Sequence, residues 1–393
     1  MKRALVTGAA GFIGGYVVEE FVRAGWRVVA AVHGASSPRL AALARRGRVT
    51  VAGCDAGSLE SLERAVNLAG PGGGRGPDAI VHCAGRASDV GRDREFRRTN
   101  YDSVRHLVKL TRDSGAGRLV FVSTTDVYGL RDFSGESEDE LPLDPFPRNP
   151  YPRWKIAAER HVRAELVPRR WSIIRPAAVW GVGDSTFVPR LVAFLRSTPF
   201  IVHFGKWRGS NRWPLAHVRN VAAASYLAAV LPRAAGRAFN VLDSEVTTAD
   251  GWYRAVAALY LPGREFRSVT VPLWCARLFG AVVSAVSTAL NLRRPLIDPS
   301  RYAAEVVSNN LDFGNGAFLE LLAAGGRAPV TKSLGMRELA SSVQALASEC
   351  RLKRKPMKTY EKMKSIIPSS GLKRARRAAW PHAQARKFVI SES

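Results

Sequence analysis

A doubly wound α/β fold, with a parallel sheet covered by helices on both faces, is the class this sequence predicts, with a smaller, partly interleaved substrate region behind it. Three observations carry the expectation. A glycine-studded turn follows the first apolar strand directly. Near-continuous apolar strands then alternate with helix-length segments through the first third of the chain, the pattern of a parallel sheet buried on both sides. From about residue 185 the alternation gives way to mixed helices and short strands. The resulting division is 1–184 for the core, 185–345 for the substrate region, with some strands returning to the core, and 346–393 for a basic, flexible tail.

In chain order, "RALVTGAA" reads as a strand, "GFIGGYVVEEFVRAG" as a helix and "RVVAAVHG" as a second strand. "LAALARRG" is helical, "VTVAGC" a strand, "SLESLERAVNLA" a helix and "DAIVHCAG" a strand. "SVRHLVKLTRDSG" is again helical, and "RLVFVSTTDVYG" is a strand with a polar end. In the first turn Gly8 permits a tight bend, Gly11 lets a pyrophosphate approach the backbone, and Gly14 allows close helix–sheet packing. The following helix N-terminus offers unpaired N–H groups to phosphate oxygens. The spacing is G-x-x-G-x-x-G, not the G-x-G-x-x-G of the usual dinucleotide fingerprint.

With those residues in view, "TGAAGFIG" (7–14) resembles the TGxxGFIG signature of the extended short-chain dehydrogenases/reductases, the NAD-dependent epimerase/dehydratase family. Further matches follow in order. They are "DAIVHCAG" (78–85), Asn100 in "RRTNYDSV", "FVSTTDVYG" (121–129), "NPYPRWKIAAE" (149–159), "IIRPAAVWGVGD" (173–184) and "WPLAHVRNVAAA" (213–224). The resemblance implies a Rossmann core. It also implies a catalytic set of Tyr151, Lys155 and Thr124, with Asn100 in a supporting role. Tyr151 and Lys155 are four apart and share a helix face, where an ammonium is expected to lower the phenol's pKa. Strand alternation favours Thr124 over its neighbours Ser123 and Thr125. The implied cofactor contacts are Thr7, Gly8, Gly11, Phe12, Ile13, Gly14, His33, Arg39, Asp55 and Ala84. "AAVHGASSPRL" has no acid at the end of the second strand to bind free ribose hydroxyls. His33, Ser36, Ser37 and Arg39 offer donors instead, so NADP is preferred, with NAD as the alternative.

The expected reaction interconverts a secondary alcohol and a ketone by hydride transfer. Nucleotide-sugar members of the family carry an asparagine soon after "RP"; here Ala177 and Ala178 follow it. "RPAAVWGVGD" is closer to the 3β-hydroxysteroid dehydrogenase-like branch, and a bulky, steroid- or lipid-like substrate is expected. A nucleotide-sugar epimerase or dehydratase is the enzymatic alternative, and a non-catalytic dinucleotide-binding scaffold the other. Residues 272–292, "PLWCARLFGAVVSAVSTALNL", are apolar but interrupted by Arg277, Ser284 and Ser287. They read as a pocket-lining helix or an interfacial one, being too short to span a bilayer.

The formal charge is +26, and Arg351–Ser393 carries thirteen Lys or Arg against two Glu. Such a balance favours anionic partners. Peripheral membrane contact through 272–294 and the tail is one reading. Nothing resembles a folded nucleic-acid module, so the chain is not read as a nucleic-acid binder. The four cysteines, at 54, 83, 275 and 350, form neither a metal pattern nor a disulfide framework. No metal is expected. A small-molecule substrate, a homodimer of the kind relatives form, and a cytoplasmic location with membrane association complete the expectations; no signal peptide is read at the N-terminus.

Overall fold

The computed structural model describes residues 1–290, 292 and 300–352, with side chains to 345. The basic segment beyond 352, and Arg293 and Arg294, lie outside the described residues. The chain divides into a body, Met1–Ser342, and a second unit, Val343–Ser393. Of that second unit only the end of the helix Lys332–Leu352 is described.

Seven strands form the central sheet: β1 (Arg3–Thr7), β2 (Arg27–Val32), β3 (Val49–Gly53), β4 (Ala79–His82), β5 (Arg118–Val122), β6 (Trp171–Pro176) and β7 (Ala238–Val241). Their order is β7-β6-β5-β4-β1-β2-β3, and every neighbouring pair is parallel. The strands are rich in Val, Ile and Ala because both faces are covered, and β4 and β6 are buried along their whole length. Alternate side chains feed two cores. Ala4 and Val6 pack with Val18, Phe21 and Ala224 on one side, while Leu5 packs with Leu62, Ile80, Leu107 and Phe121 on the other. The doubly wound parallel sheet expected from the sequence is therefore present.

After β3 the chain crosses back so that β4 lies on the other side of β1. That reversal opens a crevice at the carboxyl ends of β1 and β4, where open α/β sheets bind ligands. Helix α1 (Phe12–Arg23) begins in the crevice. Gly11 caps it without a side-chain hydrogen bond, and no acid stands in its first turn, so its N–H groups remain open to an anion. The next helices have conventional starts: α2 (Pro38–Ala44) is capped by Ser37 and α3 (Leu59–Ala69) by Ser58. Then come α4 (Ser103–Asp113), α5 (Pro150–Glu165) and α6 (Val218–Val230). Asn149 accepts from the Tyr151 amide at 2.8 Å and Pro150 presets the first turn, so the position of Tyr151 is fixed by the entry to α5.

One buried ion pair ties α5 to the sheet. Arg175 on β6 donates from Nε and Nη2 to the two Glu159 oxygens, at 3.0 and 2.6 Å. Its Nη1 donates to the Tyr128 hydroxyl at 2.7 Å, and Tyr128 in turn donates to Asn240 Oδ1 on β7 at 2.6 Å. Burial opposes the Arg175 charge, but Glu159 overrides it and holds the guanidinium above its ordinary pKa.

Three small parallel pairs complete the body: Phe133–Glu136 with Leu311–Phe313, Ala178–Trp180 with Leu215–His217, and Phe200–Phe204 with Arg267–Val271. The apolar segment expected near 272–292 forms α7 (Leu273–Ala289), which packs on the short α8 (Arg301–Val307). No helix among the described residues is long and apolar enough to cross a membrane.

A Cβ at Gly14 would stand 2.2 Å from the Gly8 carbonyl oxygen. Gly14→Ala is therefore expected to destabilise the fold by about 1–3 kcal/mol, the usual penalty for overpacking. A urea midpoint equal to wild type would show that α1 does not sit this close to the turn.

Candidate functional site

The glycine turn is built for close approach. Gly8 has φ +66°, and a Cβ there would lie 2.7 Å from the Ala84 amide nitrogen. The loop after β4 is thus pressed onto the turn after β1, and Ala84 is further placed by its amide donating to Thr7 Oγ1 at 3.4 Å. Below this, Thr7 Oγ1 and His82 Nδ1 are 2.7 Å apart, and His82 Nε2 lies 3.1 Å from Ser103 Oγ. Burial, with Lys155 nearby, pushes His82 down to about 3, so it is a neutral pin between β1, β4 and α4. Phe12 and Ile13 are partly buried at the start of α1. The backbone thus forms a cradle that side chains would fill, at an uncapped helix N-terminus. The residues present fit a dinucleotide pyrophosphate.

Around this cradle, His33 is exposed just past the end of β2. The Arg39 guanidinium stacks 3.6 Å from the Tyr16 ring centroid and faces Glu19 at 3.6 Å, and its buried Nη1 makes no hydrogen bond. Asp55 accepts from the Gly57 amide at 2.9 Å through one oxygen and pairs with Arg98 through the other. In this state its carboxylate therefore holds its own loop.

The reaction-centre candidates gather at the carboxyl end of β5. Thr124 Oγ1 accepts from the Asp126 amide at 3.2 Å, capping the turn Thr125–Tyr128, and the Thr124 side chain lies near enough to the Tyr151 phenol to act on its titration. Ser123 Oγ, by contrast, is buried without a hydrogen bond. One helical turn beyond Tyr151, Lys155 Nζ donates to the Val122 carbonyl at 2.8 Å and sits 4.7 Å from the Phe121 ring centroid. Burial pushes its ammonium down to about 8, against the pull of Glu159. Asn100 lies in a π-helical turn, Arg97–Asp102, a distortion frequent at functional sites. It is fully buried and grips Arg86, accepting from its amide at 2.7 Å and donating to its carbonyl at 3.0 Å.

The phenol differs from expectation. Burial pushes Tyr151 above the ordinary tyrosine range, and Asp126 adds to the rise; only Thr124 opposes it. The expected lowering by Lys155 is absent because that ammonium is directed at the Val122 carbonyl.

Two residues beside the phenol carry no expectation from the sequence. The Tyr302 hydroxyl on α8 donates to Asp126 Oδ2 at 2.7 Å, and both groups interact electrostatically with Tyr151. Burial holds the Asp126 carboxyl above its usual range, with the Tyr302 hydrogen bond opposing. The acid within "STTDVYG" was a legible signal for Asp126; Tyr302 stands 151 positions after Tyr151 and has no local signature.

A doubly wound sheet with an open, glycine-lined helix N-terminus at its switch point defines a dinucleotide-binding Rossmann protein. Residues 4–241 match the profile of the NAD dependent epimerase/dehydratase family, and the chain belongs to that family. It is an NAD(P)-dependent enzyme of the extended short-chain dehydrogenase type. It is 28% identical over 254 residues to 2-alkyl-3-oxoalkanoate reductase of Stenotrophomonas maltophilia, covering 62% of this chain and 71% of the relative. It is 26% identical over 254 residues to human sterol-4-alpha-carboxylate 3-dehydrogenase, decarboxylating, covering 62% of this chain and 63% of that one. The fold matches dTDP-glucose 4,6-dehydratase from Bacillus anthracis in complex with NAD, with a TM-score of 0.64 at 16% identity over 88% of this chain and 97% of that one.

The depressed Lys155 pKa has a stability consequence with a definite sign. Between about 8 and the ordinary 10.5 the unfolded chain holds a proton that the folded chain has released. The penalty is full below pH 8 and lifts as pH rises towards 10.5. Relative to Lys155→Met, wild type should therefore gain stability across that window in urea midpoints, and parallel curves would contradict the assignment.

Proposed function

We propose that the chain interconverts a secondary alcohol and a ketone on a bulky apolar substrate, with Tyr151 moving the proton and NADP preferred over NAD. The observation that carries this reading is the juxtaposition of Thr124 and the Tyr151 phenol at the end of β5, with Lys155 one helical turn away. The nicotinamide supplies the hydride when the cofactor is bound. The chain's own residues handle the oxygen. Thr124 and Tyr151 present two hydroxyls to the reacting carbonyl, orient it and stabilise its developing charge, and the phenol then donates its proton. The phenol is protonated at neutral pH, the form a proton donor needs, although burial and Asp126 make it a weaker acid than a free tyrosine. Lys155, donating to the Val122 carbonyl, holds a positive charge one helical turn from the phenol.

NADP preference is supported by the absence of an acid at the end of β2, by exposed His33, and by the Arg39 guanidinium, which faces Glu19 at 3.6 Å. The other cofactor contacts proposed are Thr7, Gly8, Gly11, Phe12, Ile13, Gly14 and Ala84 at the cradle, and Asp55 beside the adenine. The apolar substrate is supported by Ala177 and Ala178 after "RP" and by the printed activities of the alkanoate and sterol relatives.

Tyr151→Phe is expected to lower ketone turnover by about 10²–10⁴-fold, the range for loss of a proton-transfer group, while dinucleotide binding persists. Consumption of reduced nicotinamide with a panel of ketones is the readout, and unchanged turnover would overturn the role. Net consumption also separates this reaction from epimerisation, which returns the hydride. In a fluorescence titration Arg39→Ala should weaken NADPH and leave NADH unaffected; equal effects on both would contradict the 2′-phosphate role.

A further inference from the structure

We infer that α7 is a docking face for an anionic lipid bilayer, and that it sets the substrate site beside the membrane surface. Trp274, Leu278, Val282, Val286 and Leu290 are 69, 66, 60, 43 and 60% exposed, and Phe279 is 50% exposed beside them. Residues four apart advance about 40° around a helix, so these five wind over about 160°, within one half of its circumference. The opposite row, Ala276, Gly280, Val283 and Ser287, is buried in the body. Elsewhere the exposed large apolar side chains, such as Leu68, Phe146, Val167 and Val246, are scattered through the sequence. A continuous apolar row of this length marks an interaction surface. A helix of seventeen residues is about 26 Å long and lies in an interface instead of crossing it.

Charge identifies the partner. The segment from Leu273 to Leu290 contains no Asp or Glu. Three guanidinium groups converge on the single buried carboxylate of Glu305: Arg277 at 3.1 Å, Arg301 at 3.3 Å and Arg148 at 3.9 Å. The cluster therefore presents a net surplus of two positive charges next to the apolar row. Lipid phosphates answer that surplus. A second copy of this chain, apposed symmetrically, would bring two such surpluses together and repel. The sequence beyond Cys350 adds thirteen basic residues against two acids.

The same unit reaches the reaction centre. The Arg301 amide donates to Ser284 Oγ on α7 at 3.3 Å, and the next residue, Tyr302, hydrogen-bonds Asp126 beside Tyr151. A few residues thus separate the apolar face from the proposed proton donor. An apolar ketone dissolved in the bilayer would enter from the membrane side; this last step rests on the substrate class proposed above, whereas the docking does not.

The test is flotation of the full chain with phosphatidylcholine vesicles, with and without phosphatidylglycerol. Wild type should float with the phosphatidylglycerol-containing vesicles. The charge-neutral triple variant Leu278→Ser, Val282→Ser, Val286→Ser, with the tail intact, should lose at least about tenfold of the bound fraction. Leu68→Ser, an exposed apolar change elsewhere, should float as wild type does. Hydride transfer to a water-soluble ketone without vesicles should be the same in all three. Triple-variant flotation equal to wild type would assign binding to the tail and overturn the inference. Wild type that fails to float, or a dimer that the triple variant dissociates without any vesicle binding, would overturn it too. Flotation without hydride transfer would instead refute the proposed chemistry and leave the docking face standing.

Discussion

The buried pair between Arg175 and Glu159 is the constraint on which the site depends. Two full charges taken out of water are tolerated only with complete pairing, and here the guanidinium is satisfied on three sides by Glu159 and Tyr128. The geometry that results is specific. Glu159 lies on α5, four residues after Lys155 and eight after Tyr151, so it fixes the same helix face that carries both candidates. Arg175 comes from β6, and Tyr128 closes the turn that begins with Thr124. One network therefore sets α5, the end of β5 and the adjoining strands in a common register. Asn240 extends it to β7, a strand that arrives from the later half of the chain.

Against that fixed frame the crevice supplies two electrostatic environments. Around the glycine turn the chain offers backbone N–H groups and a neutral histidine, so no side-chain anion competes for the helix N-terminus. Around Tyr151 the environment is partly acidic. Burial and Asp126 keep the phenol protonated, while Lys155 is near its own titration point.

Much of this was legible in the sequence because its signals are local. The strand–turn–helix of residues 3–23 needs only β-branched and small residues followed by glycines. The spacing of Tyr151 and Lys155 specifies a shared helix face, and strand alternation selected Thr124 over Ser123, whose hydroxyl is buried without a hydrogen bond. What could not be read depends on contacts between distant positions. The lowering expected of the Tyr151 pKa assumed an ammonium aimed at the phenol, whereas Lys155 is spent on the Val122 carbonyl. Tyr302 enters the site from α8 by tertiary packing alone. The apolar stretch near 272–292 illustrates the same limit. Its composition was visible, but a pocket-lining helix and an interfacial one share that composition, and only the fold shows its large side chains facing outwards.

The most direct measurement compares Glu159→Met with the double variant Glu159→Met/Arg175→Met in chemical denaturation. If the ion pair is the lock described here, the single variant strands a buried guanidinium and loses about 3–5 kcal/mol, while the double variant, with an apolar pair of similar volume, recovers most of that loss. A single variant with the wild-type midpoint, or a double variant no more stable than the single, would contradict the account.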